Sequence, residues 1–164
     1  KDPATGIVSP TVMLLKDTRP GQAGNTISLS KQIIPEGGIS SVADIGSAQE
    51  TGERLVAAES ARKKGSGASF RSASQRTNGK LLYYTAEYTK SVLTVSRVVL
   101  TTLVVADGVL YTLTAEEDQG RFDSEMGDAL RAAASSLDVI ALNNTAAPAA
   151  PAVADTKKGG KKKR

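Results

Sequence analysis

Glu116, Glu117, Asp118 and Asp123 place four carboxylates within eight residues, and clustered carboxylate oxygens are what a calcium ion takes as ligands. Their spacing lacks the alternating ligands and central glycine of an EF-hand loop, so the plainer reading is a solvated entry to a helix. Paired carboxyl groups also serve glycoside hydrolysis, but nothing around these four marks a substrate cleft. The chain contains no histidine and no cysteine. That excludes Ser-His-Asp and Cys-His machinery, imidazole or thiolate metal ligands, disulfides and iron–sulfur clusters within the chain. A non-enzymatic protein is therefore expected, with calcium as the one ion to weigh.

Other residues carry weaker chemical signals. Gly65-Ser66-Gly67 has glycines but lacks the lysine and the preceding strand of a phosphate loop. Asn143-Asn144-Thr145 fits a glycosylation sequon, which matters only in a secretory protein. Tyr84 and Tyr88 alternate with Tyr83 and share a strand face with Leu82 and Ala86, so a sheet packed under a helix explains them better than a stacking platform. Arg97 sits inside an apolar run: facing inward it needs a carboxylate such as Glu87, facing outward it marks the wet side of a strand.

The formal charge of +4 belongs to one end of the chain. Before Asp155 there are 15 Lys and Arg against 16 Asp and Glu, so the excess lies in Lys157, Lys158, Lys161, Lys162, Lys163 and Arg164. These six are the candidate partner-binding residues, suited to an acidic protein surface or anionic headgroups, against the plainer reading of a solvated end that aids solubility and a weak nuclear-targeting pattern in K-K-K-R. No basic, aromatic platform for nucleic acid clusters in the body, which argues against nucleic acid as a partner. The Ala/Pro-rich run from Ala146 to Ala154 reads as a linker, so the expected division is a folded domain over 1–142 and a linker with a Lys-rich tail over 143–164. No apolar stretch is long enough to span a bilayer, since the run Val92 to Leu113 is broken by Arg97, Asp107 and several hydroxyl residues.

Local patterns place the elements. Thr11 to Lys16 reads as a short strand, and Arg19-Pro20-Gly21 with Gly24-Asn25 supplies turn chemistry before a second strand over Thr26 to Ile34, ended by Pro35 to Gly38. A loop through Ile39, Val42 and Ile45 leads to Ser47-Ala48-Gln49-Glu50, a capping box that starts a helix running to about Lys64 with Leu55, Ala58 and Arg62 on related turns. Gly52 should cost that helix roughly 1 kcal/mol relative to alanine. Lys63, Lys64 and Gly65 close it. Four strands follow, the first over Ala68 to Gln75, with Asn78-Gly79 as a type I′ turn and Asp107-Gly108 as a hairpin turn whose glycine can take positive φ. Glu116 to Asp118 lead into a last helix whose face is Phe122, Met126, Ala129, Leu130, Ala133 and Leu137. Turns this short exclude parallel crossovers, so the fold class is α+β with a mainly antiparallel sheet packed against helices.

The carboxy-terminal half carries a family resemblance. The turn Asp107-Gly108, then Leu110 to Ala115 (LYTLTA), Arg121-Phe122 and the alanine-rich helix ending Ala134 to Val139 (ASSLDV) resemble the signature of the PsbP family. Lys80 to Tyr88 (KLLYYTAEY) and Arg97 to Ala106 (RVVLTTLVVA) resemble the two preceding strands, and Asn25 to Leu55 the strand, linker and first helix. The match spans roughly residues 10 to 142. Departures are Phe122 and Leu137, where the family usually has tryptophan and phenylalanine, and Val98, where it often has histidine. Nothing resembling the family's phenylalanine-rich first strand precedes Lys1, so the chain is expected to be an amino-terminally truncated form.

The resemblance implies an α/β/α sandwich of the PsbP/Mog1 type. It implies an extrinsic photosystem II subunit in the chloroplast thylakoid lumen, peripheral to the membrane, which docks on the oxygen-evolving complex and helps retain calcium and chloride. The alternatives are an assembly or accessory factor of photosystem I or of the thylakoid NADH-dehydrogenase-like complex, and a Mog1-type GTPase-binding module.

Overall fold

The computed structural model describes residues 11–19, 25–62 and 66–140. Six strands form one sheet: β1 (Thr11–Lys16), β2 (Thr26–Ile33), β3 (Ser66–Asn78), β4 (Leu81–Val92), β5 (Val95–Ala106) and β6 (Val109–Asp118). Every neighbouring pair is antiparallel, in the order β1-β2-β6-β5-β4-β3. The expected antiparallel α+β arrangement is what forms. The β1–β2 hairpin, remote in sequence, docks on β6 in an unbroken register from Thr26↔Glu116 to Ile33↔Val109.

Local chemistry set most of the turns. Asp107 and Gly108 have φ of 50° and 72°, the doubly left-handed geometry of a type I′ turn, as expected from the dipeptide. The β3–β4 turn differs by one residue: Asn78 still pairs with Leu81, and only Gly79 is left-handed, with φ of 58°. The turn is therefore Gly79-Lys80, with glycine at the first central position. Asn78 stays in the strand because its amide donates to Asp138 Oδ1 at 2.8 Å, holding it against the chain end.

A 3-10 turn (Val42–Ile45), which alternation of apolar residues did not reveal, precedes α1 (Ala48–Arg62). The α1 capping box forms in both directions: Glu50 N donates to Ser47 Oγ at 3.2 Å, and Ser47 N to Glu50 Oε2 at 2.8 Å. The residues proposed to close α1, Lys63 to Gly65, lie outside the described residues. The buried side of α1 is Ala48, Thr51 and Gly52, flanked by half-buried Leu55, while Ala58 and Arg62 are exposed. This corrects the expected face, and Gly52 explains it. A Cβ there would lie 2.6 Å from the Phe70 ring and 3.2 Å from the Ala86 methyl, so the glycine lets α1 lie close on β3 and β4. Gly52→Ala should destabilise the protein by about 1–3 kcal/mol through overpacking, despite alanine's better helix propensity. A urea-unfolding midpoint at or above wild type would refute this.

The C-terminal helical segment runs through α2 (Gln119–Arg121), a π-helical stretch (Phe122–Met126) and α3 (Gly127–Ser135). The π turn adds a residue to the repeat and rotates everything after it. Phe122, Leu130 and Ala134 are buried with Met126 packed beside them, whereas Ala129 is exposed and Ala133 only half-buried. That is the second correction to an expected face.

The two sheet faces carry separate cores. Val98, Leu100 and Ala115 meet Phe122, Leu130 and Ala134 under the C-terminal helix. Tyr84, Leu103 and Val105 meet Val42 and Ala48 on the opposite side. Tyr84 and Tyr88 are both buried on that second face, as a sheet under a helix requires. β1 is exposed throughout, and Val12, Met13, Leu14 and Leu15 stand at the sheet edge.

Candidate docking surface

The four carboxylates do not converge. Glu116, Glu117 and Asp118 end β6, and Asp118 is also the residue through which the chain enters α2. Alternation sends Glu116 to one face, where it meets Lys90 Nζ at 2.6 Å, and buried Glu117 to the other, where Arg121 Nη1 approaches at 3.5 Å. Asp118 caps α2 by accepting from Gly120 N at 3.0 Å and Arg121 N at 3.4 Å. Asp123 pairs with Arg71 at 2.9 Å. Among the described residues no group of three or more Asp or Glu side chains is disposed to hold a metal ion. Each of the four acids is engaged by a cation or a helix terminus, so together they are not a bare solvated entry.

Arg97 is half-buried and donates to Asn25 Oδ1 at 3.3 Å. Glu87, its anticipated partner, lies on the other sheet face with different cations. Arg131 reaches it through Nε (2.9 Å) and Nη2 (3.2 Å), and Arg71 through Nη1 (3.3 Å). Both guanidiniums also lie over the Phe122 ring, at 5.6 Å for Arg71 and 4.9 Å for Arg131. Arg71 reaches this face because the β3 register shifts between Phe70 and Ser72, and a bulge turns its side chain away from the alternating pattern. Sequence spacing carried no sign of this cluster. It joins β3, β4 and the C-terminal helix, and beside it lies a hydroxyl-lined cavity of about 190 Å³ bordered by Ser72, Ser74, Thr85 and Ser135.

A second ionic group closes the other end of the sheet. Arg19 Nε donates to Asp17 Oδ1 at 2.9 Å, and Arg121 Nη1 lies 3.9 Å from Asp17 Oδ2. The Arg19 hydrogen bonds hold the Asp17 carboxyl down at about 2. Beneath this group Leu15, Ile27, Met126 and Leu130 floor a cavity of about 210 Å³.

The predicted partner-binding residues Lys157, Lys158, Lys161, Lys162, Lys163 and Arg164 lie outside the described residues. The last described residues are tied to the sheet. Asp138 accepts from Asn78 and from the Tyr83 hydroxyl (3.2 Å), Val139 N donates to the same hydroxyl (3.1 Å), and Arg76 donates to Leu137 O. Residues 137–139 are therefore held beside the β3–β4 turn, at the end of the sheet remote from the β4–β5 turn. No helix among the described residues is long and apolar enough to cross a membrane.

An antiparallel sheet with helices on both faces defines the protein as α+β. The profile of the PsbP family matches residues 17–139. The chain belongs to the PsbP family. Among solved structures it is similar to the solution structure of cyanobacterial PsbP (CyanoP) from Synechocystis sp. PCC 6803, with a TM-score of 0.62 and 20% identity over 78% of this chain and 81% of that one. It is also similar to a crystal structure of a protein of unknown function from Pseudomonas aeruginosa, with a TM-score of 0.54 and 12% identity over 81% of this chain and 85% of that one. Comparison with curated protein sequences gives no significant match. Proteins of this family are in general non-enzymatic and photosystem-associated, and the fold here is theirs.

Proposed function

We propose that this protein is a non-enzymatic extrinsic subunit of photosystem II, held on the lumenal face of the thylakoid membrane, where it docks on the oxygen-evolving complex and helps retain calcium and chloride. The family match over residues 17–139 carries this reading. The division of charge supports it. A near-neutral body offers shape-specific contacts, and the six cations of the tail supply long-range attraction to acidic subunits. Retention of calcium then comes from covering a site on the partner, in keeping with the dispersed, internally paired carboxylates of this chain.

Removing 146–164 should weaken binding to photosystem II membranes several-fold at low salt, and the difference should shrink once ionic strength passes about 0.15 M, where screening sets in within ~8 Å. Identical sedimentation of the full and shortened chains at low salt would refute the tail's part. Affinity capture from solubilised thylakoids tests the subunit assignment itself. Recovery with photosystem II supports it, and recovery with photosystem I or the NADH-dehydrogenase-like complex moves the protein to an accessory role there.

A further inference from the structure

Among the described residues the sheet ends at β1 on one side and at β3 on the other. β3 carries the guards that edge strands use against stray pairing: a bulge at Arg71, the cations Arg71 and Arg76, and residues 137 and 138 tied to it through Arg76 and Asn78. β1 has no charge from Thr11 to Leu15, and its irregularity at Val12 leaves Met13 to Lys16 in regular register with β2. Every residue of β1 is exposed, Val12 and Leu15 at 55%, Leu14 at 50% and Met13 at 40%. An apolar edge strand with water on both faces is a template for another strand.

The ladder defines which backbone groups face outward. Asp17 N donates to Asn25 O at 3.0 Å, so Asp17 turns its groups toward the partner strand. Antiparallel pairing alternates, which turns those of Leu15 and Met13 inward as well and those of Leu14 and Lys16 outward. A free edge alone would accept any strand, but this one matches itself. A two-fold axis normal to the sheet sets one residue opposite its own copy. Centred on Leu14, it bonds Leu14 to Leu14 through their outward groups and sets Met13 against Leu15 of the second copy, apolar against apolar on both faces. The two Lys16 side chains then stand about 14 Å apart along the strands, beyond the ~8 Å screening length.

We propose that β1 is a self-association edge: two copies pair β1 to β1, antiparallel about Leu14, and join their six-stranded sheets into one continuous sheet. Met13 and Leu15 of both copies then extend the apolar row under the C-terminal helix, where Leu15 already lies opposite the core-packed Ile27. Pairing β1 with β3 of another copy is head to tail and does not close, and the bulge and cations of β3 oppose it. One strand pair buries less than the ~1,200 Å² of a standard interface, so the dimer is reversible, with Kd between about 1 µM and 1 mM. This inference is independent of the photosystem reading above.

Sedimentation of the full chain from about 1 µM to about 1 mM should show its mass rising from 17.0 kDa toward twice that value. Leu14→Lys sets like charges face to face at the axis and should weaken the dimer about tenfold or more. Leu14→Pro removes an outward N–H and should weaken it similarly, with Tm close to wild type because the bonds to β2 are kept. The natural chain has no cysteine, so Leu14→Cys reads the register directly. Under copper–phenanthroline oxidation it should cross-link several-fold faster than Met13→Cys, since directly opposed Cα atoms lie about 5.5 Å apart and diagonal ones about 7–8 Å. A monomer at every concentration overturns the proposal, as does a dimer that neither Leu14→Lys nor Leu14→Pro weakens. Growth beyond the dimer overturns the closed pairing. If either of those variants fails to fold, the cysteines decide, and equal rates at 13 and 14 overturn the Leu14 axis.

Discussion

Phe122→Ala should lower the unfolding free energy by about 3–5 kcal/mol, the range for removing a buried aromatic ring. Phe122 is 2% exposed and packs with Val98, Leu100, Ala115, Leu130 and Ala134. Its truncation would open a cavity where the π turn leaves little room to collapse, since Gly127 sits tightly against the Phe122 carbonyl. The ring also carries the guanidiniums of Arg71 and Arg131, a contribution of about 0.5–2 kcal/mol for each contact that is desolvated. Total stability is ordinarily about 5–15 kcal/mol, so the loss would show as a large fall in the urea midpoint. Phe122→Leu keeps most of the apolar volume and removes the π face, and should lie between the two. A Phe122→Ala variant within about 1 kcal/mol of wild type would mean that the C-terminal helix is not anchored by this ring.

Glu87→Ala is the second large effect, expected at about 2–4 kcal/mol. The Glu87 side chain is only 10% exposed and accepts from Arg131 twice and from Arg71 once. Removing it takes away the anion between two cations over an apolar ring, leaving Arg71 only Asp123 and Arg131 only Asp128. Because the acid is enclosed, the loss should change little between low and high salt, unlike the loss of an exposed pair. A double-mutant cycle with Arg131→Ala should give a coupling of at least about 1 kcal/mol. Strict additivity would show that the two residues act separately.

Asp123 extends this cluster outward and gives it a pH dependence. The hydrogen bond from Arg71 holds the Asp123 carboxyl below its ordinary value of 3.8. Its stabilisation is therefore complete above that value and is lost as pH falls through the lower folded-state value. Asp123→Asn should be less stable than wild type near neutral pH, with the gap closing below pH 3.8. A gap of constant size in acid would refute the linkage.

Much of the scaffold was legible because it depends on neighbours in sequence. The Ser47–Glu50 box spans three residues, and the Asp107-Gly108 turn needs only two backbone torsions that glycine and aspartate tolerate. Alternation in β4 put Tyr84 and Tyr88 on one face with Ala86 for the same reason, and all three are buried. The errors came where distant chain segments meet. Gly52 looked like a defect in a helix until Phe70 and Ala86 were found against it. The last helix kept its apolar residues but exchanged Ala129 for Ala134 in the core, because a π turn changed the angle per residue.

Composition and local pattern by themselves determined the α+β class, the near-neutral body with its basic end, the absence of histidine and cysteine chemistry, and the family resemblance. These are properties of residue type and short spacing, which every chain conformation shares. Only the tertiary structure decided that Glu87 would bind Arg71 and Arg131 across 16 and 44 residues, that Glu116 and Glu117 would part to opposite faces, and that Leu93 would stand alone at a strained tip. The pairing of such groups depends on strand register, bulges and helix rotation, and each of these is settled by burying two whole cores at once rather than by any local preference.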